Sequence, residues 1–168
     1  SEVVIAIIDT GVDYNHQDLA PNIWVNAGEI PSNGADDDGN GYIDDVRGWD
    51  FVTIPSDWVA PGEDPGPPDN DPMDFLGHGT HVAGIAAGLP NNGIGIAGAA
   101  WNCKIMPLRA GYQCFDGNGY LELADIAEAL YYAADNGADV INMSFGCPYD
   151  STTMRNAINY AYSKGCIM

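Results

Sequence analysis

The chain opens with an unbroken aliphatic run, Val3 to Ile8, that stops at Asp9-Thr10-Gly11. Apolar residues without alternation predict a strand buried on both faces, as in a parallel sheet, with Asp9 delivered to a crevice at its carboxyl end. The pattern then dissolves. Residues 26–75 are rich in Gly, Pro, Asp and Asn and predict long structured loops, broken by a short strand over Val46 to Val52. So much loop inside a compact domain calls for an organising influence, which bound ions would supply. From His78 to Gly88 small residues predominate and predict a buried, closely packed helix. Cys103 to Leu108 predicts a strand. Leu123, Ile126, Ala127, Leu130 and Ala134 share one helical face, which Gly137 terminates. Asp139 to Met143 predicts the next strand. A second helix follows, with Ser151 or Thr152 as cap, Met154, Ala157, Ile158 and Ala161 as its stripe, and Gly165 as terminator. Cys166-Ile167-Met168 begins another strand.

Strands alternating with helices predict an α/β fold: three layers, with a mostly parallel sheet flanked by helices. The last strand should continue past Met168, so the sheet is expected to be truncated on its C-terminal side. An unpaired edge invites another chain, and the expected partners are a C-terminal companion fragment or a second copy.

Charge sharpens this picture. Twenty-four acidic residues against five basic ones give a net charge of −19, which excludes nucleic acid and anionic lipid as partners. No run is long and apolar enough to span a membrane, and no signal peptide opens the sequence. Thirteen of the acids lie between Glu29 and Asp74, opposed there only by Arg47. Such a run is either a solvated face or a place where a divalent cation offsets the repulsion of gathered carboxylates. Asp36-Asp37-Asp38-Gly39-Asn40-Gly41-Tyr42-Ile43-Asp44 follows the first part of an EF-hand loop. Asp36, Asp38 and Asn40 are its side-chain donors, Gly41 makes the turn, Tyr42 offers its carbonyl and Asp44 takes the ninth place. The twelfth place holds Arg47, so the bidentate ligand is missing or comes from elsewhere, with Asp45 a candidate. The competing reading is a set of Asx turns. Cys103, Cys114, Cys147 and Cys166 lack zinc-site spacing and allow three pairings. A local Cys103–Cys114 bridge is one of them, and Cys166 in its apolar setting suits a buried thiol.

Asp9-Thr10-Gly11 alone is an ordinary strand end. It also occurs in aspartic proteases, which would require a homodimer here and would leave the histidine block unexplained. Gly77-His78-Gly79-Thr80-His81-Val82-Ala83-Gly84 is far more specific. A carboxylate at a strand end and an imidazole at a helix start can meet at the carboxyl edge of the sheet, where the imidazole would activate a hydroxyl. In this order the two segments closely resemble the first two catalytic blocks of the subtilisin-like serine proteases, and the resemblance runs from about Val3 to Met168. It implies that residues 1–168 are the N-terminal portion of one peptidase domain, with residues 26–75 as an acidic insertion. Asp9 and His78 are then catalytic, His81 is structural and His16 is a turn residue. Ser144, Phe145 and Gly146 resemble the strand that pairs with extended substrate, and Gly117, Asn118 and Gly119 the opposing wall. Ser144 lacks the Gly-Thr-Ser setting of the family's nucleophile. That serine and the oxyanion asparagine would both lie beyond Met168, so the fragment alone is expected to be inactive. The resemblance also implies calcium. Asp18 and Asn92 would give side-chain oxygens, and Pro90, Ile94 and Ile96 carbonyls. A further ligand would come from an N-terminal extension absent here. Asp69, Asp71 and Asp74 resemble a third site of thermostable relatives. The substrate implied is a polypeptide and the setting extracellular. A non-catalytic calcium-binding module is the alternative.

Overall fold

The computed structural model describes residues 2–146 and 148–168. Four parallel strands form the central sheet: β1 (Val3–Asp9), β2 (Trp49–Asp50), β3 (Cys103–Arg109) and β6 (Val140–Met143), in the order β2-β3-β1-β6. The short strands β4 (Gly111–Gln113) and β5 (Gly119–Leu121) make an antiparallel hairpin beside it. Helix α1 (His78–Ala87) covers one face, and α2 (Leu123–Asp135) and α3 (Thr152–Ser163) cover the other.

The aliphatic run of β1 explains this layering. Ala6 and Ile8 point into a core shared with Met106, Leu108, Ile126, Leu130 and Ala157. Ile5 and Ile7 point the other way, onto Ala83 and Ala87 of α1, with Val12, Leu19 and Ile105 around them. Successive side chains of a strand face opposite sides, so a strand coated on both must be apolar throughout. Ser151 caps α3, its hydroxyl accepting the backbone N–H of Met154. Beyond α3, Ile167 makes a parallel bridge to Val140, in line with the strand expected there.

Two expectations need correction. The strand predicted over Val46 to Val52 shrinks to Trp49–Asp50. Gly48, at φ 117°, crosses so close to β3 that a Cβ would lie 1.9 Å from the carbonyl oxygen of Pro107, which leaves no room for regular pairing. Cys103 and Cys114 are both free, because β3 separates them and places them toward opposite ends of the sheet. Cys166 is a buried free thiol donating to the Ala138 carbonyl. The pairing considered for Cys147 lies outside the described residues.

Asp125 sits in the first turn of α2 with one carboxylate oxygen shielded and without a hydrogen-bond partner among the described residues. Burial, reinforced by Glu122 and then Glu128, raises its pKa from 3.8 to about 6. A carboxyl raised on folding contributes fully below the unfolded pKa, and that contribution is lost as pH rises through the folded one. Asp125→Asn should therefore raise stability at pH 8 by about 1–2 kcal/mol, or about 3–6 °C in Tm, and leave it unchanged at pH 4. Thermal melts at the two pH values check this.

Candidate active site

Asp9 ends β1 with only 1% of its surface exposed. Its Oδ1 accepts the backbone N–H of Thr10 at 2.8 Å and lies 2.7 Å from Nδ1 of His78. An ionised carboxylate there fixes the tautomer: Nδ1 donates, and Nε2 of the neutral ring keeps its lone pair. The His78 side chain is 50% exposed, so the pair joins a dry carboxylate to an imidazole open to solvent. Oδ2 of Asp9 is buried without a partner among the described residues.

The first turn of α1 is held by means other than a side-chain cap at Gly77, which sits at φ 94°. Asp74 does this work instead. Its Oδ2 accepts the backbone N–H of Thr80 at 2.8 Å and the Thr80 hydroxyl at 2.6 Å. Its Oδ1 accepts the N–H of Gly77 at 2.8 Å and the hydroxyl of Thr10 at 2.9 Å. A negative charge here also suits the positive end of the helix dipole. One carboxylate thereby ties the start of α1 to the residue after Asp9. Gly79 completes the fit: a Cβ there would lie 2.0 Å from the Gly11 carbonyl oxygen and 3.0 Å from the Asp9 Cβ.

A crevice of about 200 Å³ opens beside the pair, lined by Asp9, Thr10, Leu76, His78, Gly119, Leu121, Ser144 and Phe145. The structure thus brings Gly119, Ser144 and Phe145 to the predicted pair. Gly117 and Asn118 form the hairpin turn, where Cys114 N–H donates to the Asn118 carbonyl at 2.8 Å, and Gly146 lies exposed beyond Phe145. None of these three lines the crevice. Sequence reading missed Thr10, Leu76 and Leu121. Leu121 was recoverable, since it stands two residues from Gly119 and shares its side of β5. A larger hollow of about 550 Å³ lies on another flank of α1 and includes His16, His81, Leu19 and Phe75. It lacks the Asp9–His78 pair, so size alone does not mark the site.

The acidic loop is folded around its own carboxylates. Asp36 accepts the backbone N–H groups of Gly39, Asn40 and Gly41, and Asp38 accepts from Asn40 and from the Asn26 amide. Asn40 Oδ1 accepts the N–H of Tyr42, whose ring packs edge-on against Trp49 and Tyr132. Asp44, at φ 56°, turns to the N–H groups of Asn33 and Gly34, away from the other carboxylates. Asp45 is fully buried and accepts from the Tyr132 hydroxyl and the Asn26 and Asn40 amides. The carboxylate grouped with Asp36 and Asp38 is that of Glu29, which the sequence reading passed over. Oxygens of Glu29, Asp36 and Asp38 lie within 4.8 Å of one another. An all-oxygen set of this spacing fits a hard divalent cation.

Asp18 is buried, its Oδ1 accepting the Asn92 amide at 2.6 Å and its Oδ2 the N–H of Ile96 at 3.1 Å. Asp18, Asn92 and Ile96 therefore meet, with Pro90 and Ile94 in the same connecting loop. Asp69, Asp71 and Asp74 do not meet as a triad. Asp69 accepts the N–H of Asp71, Asp71 accepts the Tyr14 hydroxyl, and Asp74 is occupied at α1. Burial raises the Asp69 carboxyl above its ordinary pKa.

Fold and site together define a class: an α/β domain with a buried carboxylate–imidazole pair at the carboxyl edge of a parallel sheet. Comparison with known proteins narrows it. The family model described as the Subtilase family matches residues 1–168, and the chain belongs to that family. It is 43% identical over 164 residues to the thermophilic serine proteinase of Bacillus sp. (strain AK1), covering 98% of this chain and 31% of the relative. To thermitase of Thermoactinomyces vulgaris it is 36% identical over 166 residues, 98% of this chain and 44% of that one. The halolysin-like extracellular serine protease Nep of Natrialba magadii is 38% identical over 145 residues, 86% of this chain and 21% of the relative. Among solved structures, the S41 psychrophilic protease superposes with a TM-score of 0.68 at 31% identity, covering 99% of this chain and 44% of that one. The chain thus spans less than half of each of these relatives. The subtilisin-like fold predicted from sequence is the fold observed. Among the described residues no helix is long and apolar enough to cross a membrane.

Proposed function

We propose that residues 1–168 carry the acid–base half of a secreted, calcium-binding subtilisin-like serine endopeptidase domain. The observation that carries this reading is the 2.7 Å contact between Asp9 Oδ1 and His78 Nδ1 beside an open crevice. The attacking hydroxyl belongs to a serine outside these residues, and the oxyanion asparagine lies outside them as well. His78 Nε2 takes the hydroxyl proton as the oxygen attacks a peptide carbonyl, then returns it to the leaving amine. Asp9 holds the ring in the donating tautomer and stabilises the imidazolium that forms. Asp74 positions both by clamping Thr10 to the start of α1. The polypeptide lies extended between Gly119–Leu121 and Ser144–Gly146, pairing with backbone on both sides.

Glu29, Asp36 and Asp38 hold one calcium ion, with Asn40 and Tyr42 in the same loop, and Asp18, Asn92, Pro90, Ile94 and Ile96 hold a second. When bound, calcium offsets the mutual repulsion of these carboxylates and tightens the loops against the sheet. The all-oxygen donors and the net charge of −19 suit an extracellular setting where calcium is plentiful. A fluorophosphonate probe tests the catalytic reading. It should label the protein when the downstream segment is present and leave the 168-residue chain unlabelled. Labelling of the short chain would place the nucleophile within it and overturn the assignment.

A further inference from the structure

The acid–base pair leaves one buried network unexplained. Arg109 ends β3, in register with Asp9 on one side and Asp50 on the other. Its side chain is fully buried and ion-paired with the equally buried Asp50. Its second branch donates to Glu63 Oε1 at 2.6 Å and to the Asp64 carbonyl at 2.7 Å. Glu63 is the pivot. Its side chain is 2% exposed, and its other oxygen accepts the backbone N–H of Gln113 at 2.6 Å. Gln113 ends β4 and pairs across the hairpin with Gly119, which lines the crevice beside His78.

The loop that carries Glu63 also braces β4 along its outer edge. Ala60 N–H donates to the Gln113 carbonyl at 2.8 Å, Phe115 N–H donates to the Trp58 carbonyl at 3.0 Å, and Val59 bridges Cys114 antiparallel. Residues 58–60 therefore act as a third strand behind the hairpin, and β5 carries the edge toward the crevice. An apolar plug would hold this loop down as firmly. A carboxylate accepting from a guanidinium on one oxygen and a backbone amide on the other adds direction, because both bonds require one geometry. Burying such charges is costly, and apolar replacements are often at least as stable, so stability alone does not account for the arrangement.

We infer that Glu63 is a positioning residue for extended substrate: from behind the hairpin it sets the placement of the β5 edge against which the polypeptide lies. The inference rests on the peptidase reading. Its test uses the whole protease with Glu63→Gln, which keeps the shape and removes the charge. Two amide substrates with the same leaving group are compared, a blocked single amino acid and a blocked tetrapeptide long enough to reach β5. The variant should raise KM for the tetrapeptide about tenfold and leave kcat/KM for the single amino acid within about twofold. Equal losses on both substrates, or none on either, would overturn the inference in favour of a purely structural network. If Glu63→Gln does not fold, Glu63→Asp, which keeps the charge but shortens the reach, carries the same comparison. If the wild-type protease cleaves neither substrate, the peptidase reading fails separately. Amide exchange of the Glu63→Gln variant against the wild type gives a second reading: exchange that quickens at Gly119–Leu121 and not in β1 supports Glu63 as the residue that sets the β5 edge, and exchange unchanged at Gly119–Leu121 removes it.

Discussion

Asp9→Asn in the whole protease should lower kcat by about four orders of magnitude with little change in KM. The geometry gives the reason. Asp9 Oδ1 serves two donors, the Thr10 amide and His78 Nδ1, while Oδ2 has no partner among the described residues. An asparagine has two placements. With its oxygen toward His78 and Thr10, the amide nitrogen is buried without an acceptor, which costs about 1–3 kcal/mol. With the nitrogen there instead, His78 must accept at Nδ1, so Nε2 carries the proton and cannot act as base. In both placements the charge that stabilises the imidazolium is gone. Steady-state kinetics on a peptide amide, with a thermal melt to confirm folding, measures the effect. A loss smaller than tenfold would remove Asp9 from the mechanism.

Calcium removal should lower Tm by about 5–10 °C for each ion lost. Binding at one hundred times Kd contributes about 2.7 kcal/mol, and about 2–4 °C accompanies each kcal/mol in a domain of this size. The shift should be smaller in a variant that keeps only the Glu29 cluster or only the Asp18 loop, since each bound ion contributes its own share. Glu29→Gln separates the ion from the fold. Glu29 Oε1 accepts from Asp37 and Asp38, and Oε2 from Asp44. An amide nitrogen in either place sets donor against donor, so the variant is destabilised even without the ion, and it loses the calcium-dependent part of Tm assigned to that loop. Melts with calcium and with a chelator, for both proteins, give four midpoints. An unchanged wild-type midpoint would discard calcium as a ligand.

Much of this molecule could be read from local sequence. β1 is legible because a strand buried on both faces must be apolar throughout, and α2 and α3 because their stripes repeat at helical spacing. Asp9 and His78 are legible because each sits within a distinctive short segment. What escaped depends on contacts across the fold. β2 is cut short by the approach of Gly48 to Pro107. The strands β4 and β5 are too short to carry a period. Glu29 lies seven residues before the loop it completes, so a motif confined to consecutive positions passes over it. Asp74 reads as a cation ligand in its acidic company, but its oxygens are taken by amide and hydroxyl donors at the head of α1.

The two partners of the central pair are anchored very differently. Asp9 ends a strand flanked on both sides by neighbours, whereas His78 opens a helix whose first turn is tied down by side chains, the Asp74 carboxylate and the Thr10 hydroxyl that accepts the Gly79 N–H. Local opening is therefore expected to begin at the helix end rather than at the strand. On warming, or in mild denaturant, the whole protease should lose turnover before its sheet melts, and cooling should restore it, since the fraying of one helical turn leaves the scaffold that rebuilds it intact.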